Sequence, residues 1–275
     1  MDPCPWRQYN VAFPNWVIAE QTAIAHLAPL MTEAETEGLV VAWFFIRKAP
    51  CWRLRYLPGR DAPQADAYLS RRLEDLKSRR HIDDVAHVIY EPETHAFGGP
   101  EAMRIAHELF HRDSGHILAR ATHPSPALGR RETAILLSAV LMRAAGLDWY
   151  EQGDVWVKVA KHRPSGAVMP PERKDELSQA MHRLLTADIR AMRDAGDAPL
   201  AAYRRWVTAF EEAGQALADL AAQGRLLRGL RAVLAHHVIF HTNRAGLPSS
   251  DQSAIAALAI HTVFNRFSRD GERHG

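Results

Sequence analysis

The chain has 275 residues, 47% apolar and 24% charged, which fits a globular protein with one large domain or two small ones. A formal net charge of +2 gives no case for a nucleic-acid binder. Two cysteines, Cys4 and Cys51, make neither a disulfide framework nor a four-cysteine zinc site. The opening MDPCPWRQYN is no export signal, and the apolar run Val40 to Ile46 is too short to span a bilayer, so the cytoplasm is the expected compartment.

Trp6 to Phe13 reads as a strand closed by Pro14. Ile24, Leu27, Leu30 and Met31 recur at helical spacing and predict a helix over 16–37, with Gly38 as its stop. VVAWFFIRK is a strand rich in aromatic and β-branched residues. After a turn at Ala49-Pro50 comes CWRLRYL, where Trp52, Leu54 and Tyr56 alternate with Arg53 and Arg55. Pro58-Gly59 ends it; a helix over 62–80 and a short strand over 85–90 follow. The order β-α-β-β-α-β predicts a ferredoxin-like arrangement, an antiparallel sheet with two helices on one face.

After Gly98-Gly99-Pro100 the periodicity turns helical. Helices are predicted over 100–119, 131–145, 149–161, 172–195, 200–222, 226–240 and 251–267. Pro124, Pro126, Gly146, Pro164, Pro170-Pro171, Gly196, Pro199 and Gly246-Leu247-Pro248 supply the breaks, and a polar tail follows Ser268. The fold class expected is α+β: a ferredoxin-like region over 1–99 and a mainly helical region over 100–275, sharing one core.

Four stretches could carry chemistry. In CWRLRYLPG, Arg53 and Arg55 are two apart on a strand and point to one face. Two adjacent guanidinium forks suit a carboxylate, although a sheet with one wet face would show the same pattern. Arg47 on the neighbouring strand would thicken the patch. In YEPETHAFGG, Glu91, Glu93 and His95 precede a glycine pair that permits a tight turn or a close approach. In HHVIFHTNRAGLP, His236, His237 and His241 cluster at a predicted helix end, followed by Asn243 and Arg244. The HExxH glutamate is missing, so a proton-carrying histidine is a better reading there than a metal site. In LDWYEQGDVW, Tyr150 or Glu151 would line a pocket, while Asp148 is explained more simply as a helix cap. HRDSGH, His111 to His116, reads as a wetted helix face. No Walker motif, Rossmann fingerprint or G-x-S-x-G elbow is present, which leaves no sequence case for ATP, NAD or a serine hydrolase.

Taken together and in order, VAWFFIRKAPCWRLRYLPG, IYEPETHAFGGPEAM with LFHRDS, RRETAILLSAVLMRAAGLDWYEQGDVW and HHVIFHTNRAGL resemble the C-terminal, glutamate-elimination domain family of lantibiotic dehydratases, the thiopeptide-type bacteriocin biosynthesis family. With the looser match NVAFPNW, the resemblance covers nearly the whole chain. It implies elimination of glutamate from glutamylated serine or threonine of a ribosomally made peptide, giving dehydroalanine or dehydrobutyrine. No metal and no organic cofactor is implied. The implied partners are a leader-bearing precursor peptide and a separate glutamylating protein that uses glutamyl-tRNA; no membrane is implied, and a homodimer stays open. Leader recognition through backbone and apolar side chains would suit an added strand at a sheet edge. Arg53 and Arg55 match the family's paired catalytic arginines, and His241, in HTNR, matches its histidine. Arg47, His95, Tyr150, Asn243 and Arg244 are the expected substrate-binding residues. The family's third arginine, just before the aromatic-Gly-Gly turn, is Ala96 in this chain, and His95 is the nearest cationic replacement in sequence. Pyridine synthases of thiopeptide pathways, which join two dehydroalanines by a formal aza-[4+2] cycloaddition, share the resemblance. So does a noncatalytic peptide-binding role.

Overall fold

The computed structural model describes residues 4–121, 128–164, 171–188 and 203–265. The expected breaks at Pro124, Pro126, Pro170, Gly196 and Pro199, the stretch 189–202 and the polar tail lie outside these residues. The chain forms two compact units: residues 1–93 with 107–125, and residues 94–106 with 126–275.

The first unit carries the sheet. Its elements run β1 (Arg7–Ala12), α1 (Ala19–Thr22), a π-helical turn (Ala23–Leu27), α2 (Ala28–Thr36), β2 (Val40–Lys48), β3 (Cys51–Pro58), α3 (Ala62–Ser78) and β4 (Asp84–Val88). All pairings are antiparallel and the strand order is β2-β3-β1-β4, the ferredoxin-like order expected from the sequence. Register follows strand alternation. Trp43, Phe45, Trp52, Leu54, Tyr56, Tyr9 and Val11 share one face, which α2 and α3 cover: Trp43 Nε1 donates to Glu35 (2.7 Å) and the Tyr56 hydroxyl to Asp66 (2.8 Å). Phe44, Arg55 and Gln8 share the other. That face is not wet. Within this unit, the part of α4 (Pro100–Ala121) from His107 onward lies on it, with Phe110 5.3 Å from Phe44, ring to ring.

The same part of α4 closes an edge of the sheet. His111 Nδ1 sits 3.2 Å from the N and 3.0 Å from the O of Trp43, and the Phe45 N–H donates to Ser114 Oγ at 3.3 Å. Unpaired backbone groups on an edge strand invite another chain, and here His111 and Ser114 meet those at Trp43 and Phe45 of β2. HRDSGH is therefore not the wetted face expected of it: Asp113 and Ser114 are fully buried, and Ser114 with His111 satisfies backbone groups of the edge strand. The outer edge of β4 has no strand partner among the described residues, and Ile89 just after it is 90% exposed.

The second unit is helical: α5 (Arg130–Ala144), α6 (Trp149–His162), α7 (Pro171–Thr186), α8 (Arg204–Ala222), α9 (Leu230–Arg244) and α10 (Ser249–Asn265). Helix α5 is buried from Thr133 through Met142, as a helix at the centre of a bundle must be. It packs against α8, where a Cβ on Gly214 would stand 2.4 Å from the Leu141 carbonyl oxygen, so only glycine allows this approach. Helix α6 packs on α9 and α10 and starts with a capping box between Asp148 and Glu151, the simpler of the two readings of that stretch. No helix among the described residues is long and apolar enough to cross a membrane.

Candidate active site

The sheet unit holds both strand arginines. Arg55 is 2% exposed. Register sets it between Gln8 on β1 and Phe44 on β2. Its Nε donates to Gln8 Oε1 at 2.7 Å, and Gln8 is fixed in turn by donating to Asn10 Oδ1 at 2.8 Å. The guanidinium lies 4.1 Å from the centre of the Tyr90 ring. Glu93 Oε1 is 3.6 Å from Nη2, an ion pair without a tight hydrogen bond. Arg55 Nη1 and Glu93 Oε2 are buried with no hydrogen-bond partner. Burial lowers the Arg55 pKa, Tyr90 and Glu93 oppose the shift, and Arg53 adds to it. A guanidinium still stays charged under such pressure. Arg53 is half-buried, in register with Asn10 and Ile46, and has no hydrogen-bond or ion-pair partner among the described residues. Among the described residues, Glu93 is thus the carboxylate that stands against these two cations, within ion-pair distance of Arg55, and it is loosely placed.

Under the guanidinium, the Tyr90 hydroxyl and His107 Nε2 are 2.9 Å apart. Burial raises the Tyr90 pKa, and burial followed by the Arg55 charge lowers that of His107 to about 4. Both groups are therefore neutral near pH 7, and one donates to the other. Trp6 covers the imidazole at 4.5 Å. Arg47 does not thicken the patch. It pairs in register with Trp52 on the opposite face, lies 4.6 Å over that ring and bonds Glu20 at 2.7 Å. Alternation decides this: the neighbours of Arg55 and Arg53 on β2 are Phe44 and Ile46.

His95, Tyr150, His241, Asn243 and Arg244 belong to the helical unit. His241 is 1% exposed, with its ring 5.0 Å from Phe210 and 6.1 Å from Trp206. His237, on the same buried face, meets Phe97 at 5.0 Å, and burial with the Arg244 charge lowers its pKa to about 3. Arg244 is fully buried. Asn243 accepts from Gln252 Nε2 (2.9 Å) and Arg163 Nη2 (3.4 Å). Tyr150 is half-exposed and stacks on Phe264. His95 is exposed in a turn closed by Gly98 N–H to His95 O (3.2 Å) and Gly99 N–H to Thr94 O (2.9 Å). Gly98 has φ +88°, and a Cβ there would meet Leu226 Cδ1 at 2.7 Å, so the close approach that the glycines permit is to the 226–228 segment. From that segment Arg228 Nη1 donates to the Ala96 carbonyl at 2.8 Å. Among the described residues no three His, Cys, Asp or Glu side chains form a metal-ligand set.

Gln8, Tyr90, His107 and Arg228 escaped the sequence reading. His107 had one signal, a polar residue at an inward position of an otherwise apolar helical periodicity; Gln8 lies in the polar phase of its strand and gave none. Arg228 had none, because its partner is the backbone of a turn 132 residues earlier.

The model of the lantibiotic biosynthesis dehydratase C-terminal family matches residues 6–264. No curated protein matches the chain. Among solved structures, the tRNA-dependent lantibiotic dehydratase MibB from Microbispora sp. 107891 superposes with a TM-score of 0.71 at 16% identity, over 98% of this chain and 29% of that one. This chain therefore spans less than a third of that dehydratase. TsrL superposes with a TM-score of 0.63 at 18% identity, over 96% and 95% of the two chains. TbtD, a pyridine synthase from thiomuracin biosynthesis, gives 0.51 at 15%, over 97% and 100%. At these identities the likeness to solved structures is one of fold, whereas the family model covers nearly the whole sequence: the chain belongs to the lantibiotic biosynthesis dehydratase C-terminal family.

Proposed function

We propose that the protein eliminates glutamate from O-glutamylated serine or threonine of a ribosomally made precursor peptide. The observation that carries this reading is Arg55: a buried guanidinium with an unpaired Nη1, held in place from behind by Gln8 and Tyr90, with Arg53 beside it. A buried cation short of partners is costly unless an anion completes it. In the elimination, a base removes the Cα proton, the electron pair becomes the Cα=Cβ bond, and the Cβ–O bond breaks to release glutamate as a carboxylate. Negative charge develops on the carbonyl of the reacting residue and then on the leaving group. Fixed guanidinium groups stabilise both stages without reorganising. In this reading His241 carries a proton and Asn243, Arg244 and Tyr150 contribute to substrate binding, as the family resemblance implies. The peptide would arrive glutamylated by a separate glutamyl-tRNA-dependent protein. Its leader would add as a strand along the outer edge of β4, with an apolar side chain against Ile89.

The test supplies the full chain with a leader-bearing peptide carrying one O-glutamyl serine. Mass spectrometry should show loss of glutamic acid and a dehydroalanine in its place. If the ester persists while a peptide with two dehydroalanines is cyclised and loses its leader, the protein is a pyridine synthase.

A further inference from the structure

The helical unit holds a second cationic cluster, centred on His236 of α9. Arg228 precedes the helix, and His162 and Arg163 end α6, which packs on α9. The His236 ring is 5.1 Å from that of His162, edge to face. Its Nδ1 is 3.0 Å from the Ala232 carbonyl, and Arg228 Nη1 is 3.5 Å from the same atom. A proton on Nδ1 serves Ala232, which leaves Nε2 as the ring's free atom. Among the described residues Arg163 is held by neutral groups: its Nε donates to Gln252 Oε1 (2.8 Å), Nη1 to the His162 carbonyl (2.8 Å) and Nη2 to Asn243 Oδ1 (3.4 Å). Arg228 is held by the Ala96 carbonyl.

Neither arginine has a carboxylate within ion-pair distance among the described residues. This is not the habit of the unit. Arg225 pairs with Glu101, Arg231 with Asp154 and Glu151, and Arg131 with Asp251. Those three sit at open surface positions, where an ion pair matters little. Arg228 and Arg163 are half-buried, where a missing counter-ion matters more. Burial lowers the pKa of Arg163 and of His236, and the neighbouring Arg228, His162 and Arg163 push His236 further down. An anion received there would relieve all of these groups together.

We propose that Arg228, Arg163 and His236 form a carboxylate site of the helical unit, and that its ligand is the free carboxylate of the glutamyl group or of the released glutamate. The identity of the ligand rests on the elimination reading; the anion site rests on the cluster. Two planar forks with neutral backing suit a carboxylate. The 226–228 segment that supplies Arg228 is tied to the Thr94–Gly99 turn by Leu227 N–H to Gly98 O (2.8 Å), so the cation is positioned by backbone rather than by a flexible stem alone.

Calorimetric titration of the full chain with free L-glutamate tests the site without turnover. Binding should be saturable and should weaken roughly tenfold or more in Arg228→Gln and in Arg163→Lys, each of which loses charge-assisted hydrogen bonds. Arg225→Gln should leave it unchanged. In the wild-type protein, where no variant can misfold, glutamate should shift the His236 imidazole proton resonances. Absence of binding, binding indifferent to Arg228→Gln, or an unmoved His236 resonance would overturn the site. Inorganic phosphate binding as tightly as glutamate at equal ionic strength would overturn the carboxylate assignment. The elimination assay separates the two readings. If glutamate binds through Arg228 but no glutamyl peptide is processed, the site stands and the reaction falls. If elimination runs with an unchanged KM in Arg228→Gln, the reaction stands and the site falls.

Discussion

Replacing Arg55 with methionine separates a guanidinium kept for chemistry from one kept for stability. The substitution removes the Nε bond to Gln8 and the stacking on Tyr90. A hydrogen bond from a charged donor contributes about 1.5–3 kcal/mol and a desolvated cation–π contact about 1–2 kcal/mol. Against this, it removes a buried Nη1 with no partner, a liability of about 1–3 kcal/mol, and the residual desolvation of a cation that is 2% exposed. Glu93, the other half of the ion pair, keeps its Oε2 buried, but its side chain is 35% exposed overall, so water can take over part of its solvation. The terms cancel to within about 2 kcal/mol, and methionine fills the vacated space beside Phe44 and Tyr90. Urea denaturation of Arg55→Met should therefore give a stability within about 2 kcal/mol of wild type, while glutamate elimination followed by mass spectrometry should fall by roughly a hundredfold or more, the loss expected for a preorganised charge-stabilising donor. A destabilisation of about 3–5 kcal/mol with turnover retained in the folded fraction would refute the reasoning, because it would mark Arg55 as a structural cation whose loss strands Glu93.

His107 predicts an acid limb in stability. Its folded pKa of about 4 lies below an unfolded value near 6.5, so it contributes full stability above pH ~6.5 and loses it as pH falls toward 4; pH-dependent denaturation should show that decline, shallower in His107→Phe. Gly98→Ala forces a Cβ against Leu226 at a positive φ, and should lower stability by about 1–3 kcal/mol and weaken glutamate binding along with it, measured by denaturation and calorimetry. Ile89→Asp puts a charge beside the open edge of β4 and should weaken leader-peptide affinity several-fold, read by fluorescence anisotropy, with denaturation midpoints unchanged. His95→Ala removes an exposed turn residue while Arg228 still holds the Ala96 carbonyl, so elimination should stay level between pH 6 and 8; a loss that deepens at the acidic end would place His95 at the glutamate instead.

Periodicity along the chain determined the element order and the ferredoxin-like class, because each strand and helix buries one face and the spacing of apolar residues records which. Val40–Lys48 and Cys51–Pro58 were legible to within a residue for this reason. The pairing of Arg53 with Arg55 on one face was legible as well, since alternation is local. What lies against that face was not. The stretch from His107 to Ser114 reads as polar, yet it caps the β2 edge and buries Arg55, because a polar side chain that meets a backbone donor or acceptor is as well satisfied as one in water. Register placed Arg47 on the opposite face, a fact fixed by the turn at Ala49-Pro50 rather than by the residues of either strand. The cluster at Arg228, Arg163 and His236 is invisible in one dimension: its members come from three segments, and what makes it a site is the absence of a carboxylate partner among the described residues, which only the tertiary structure decides.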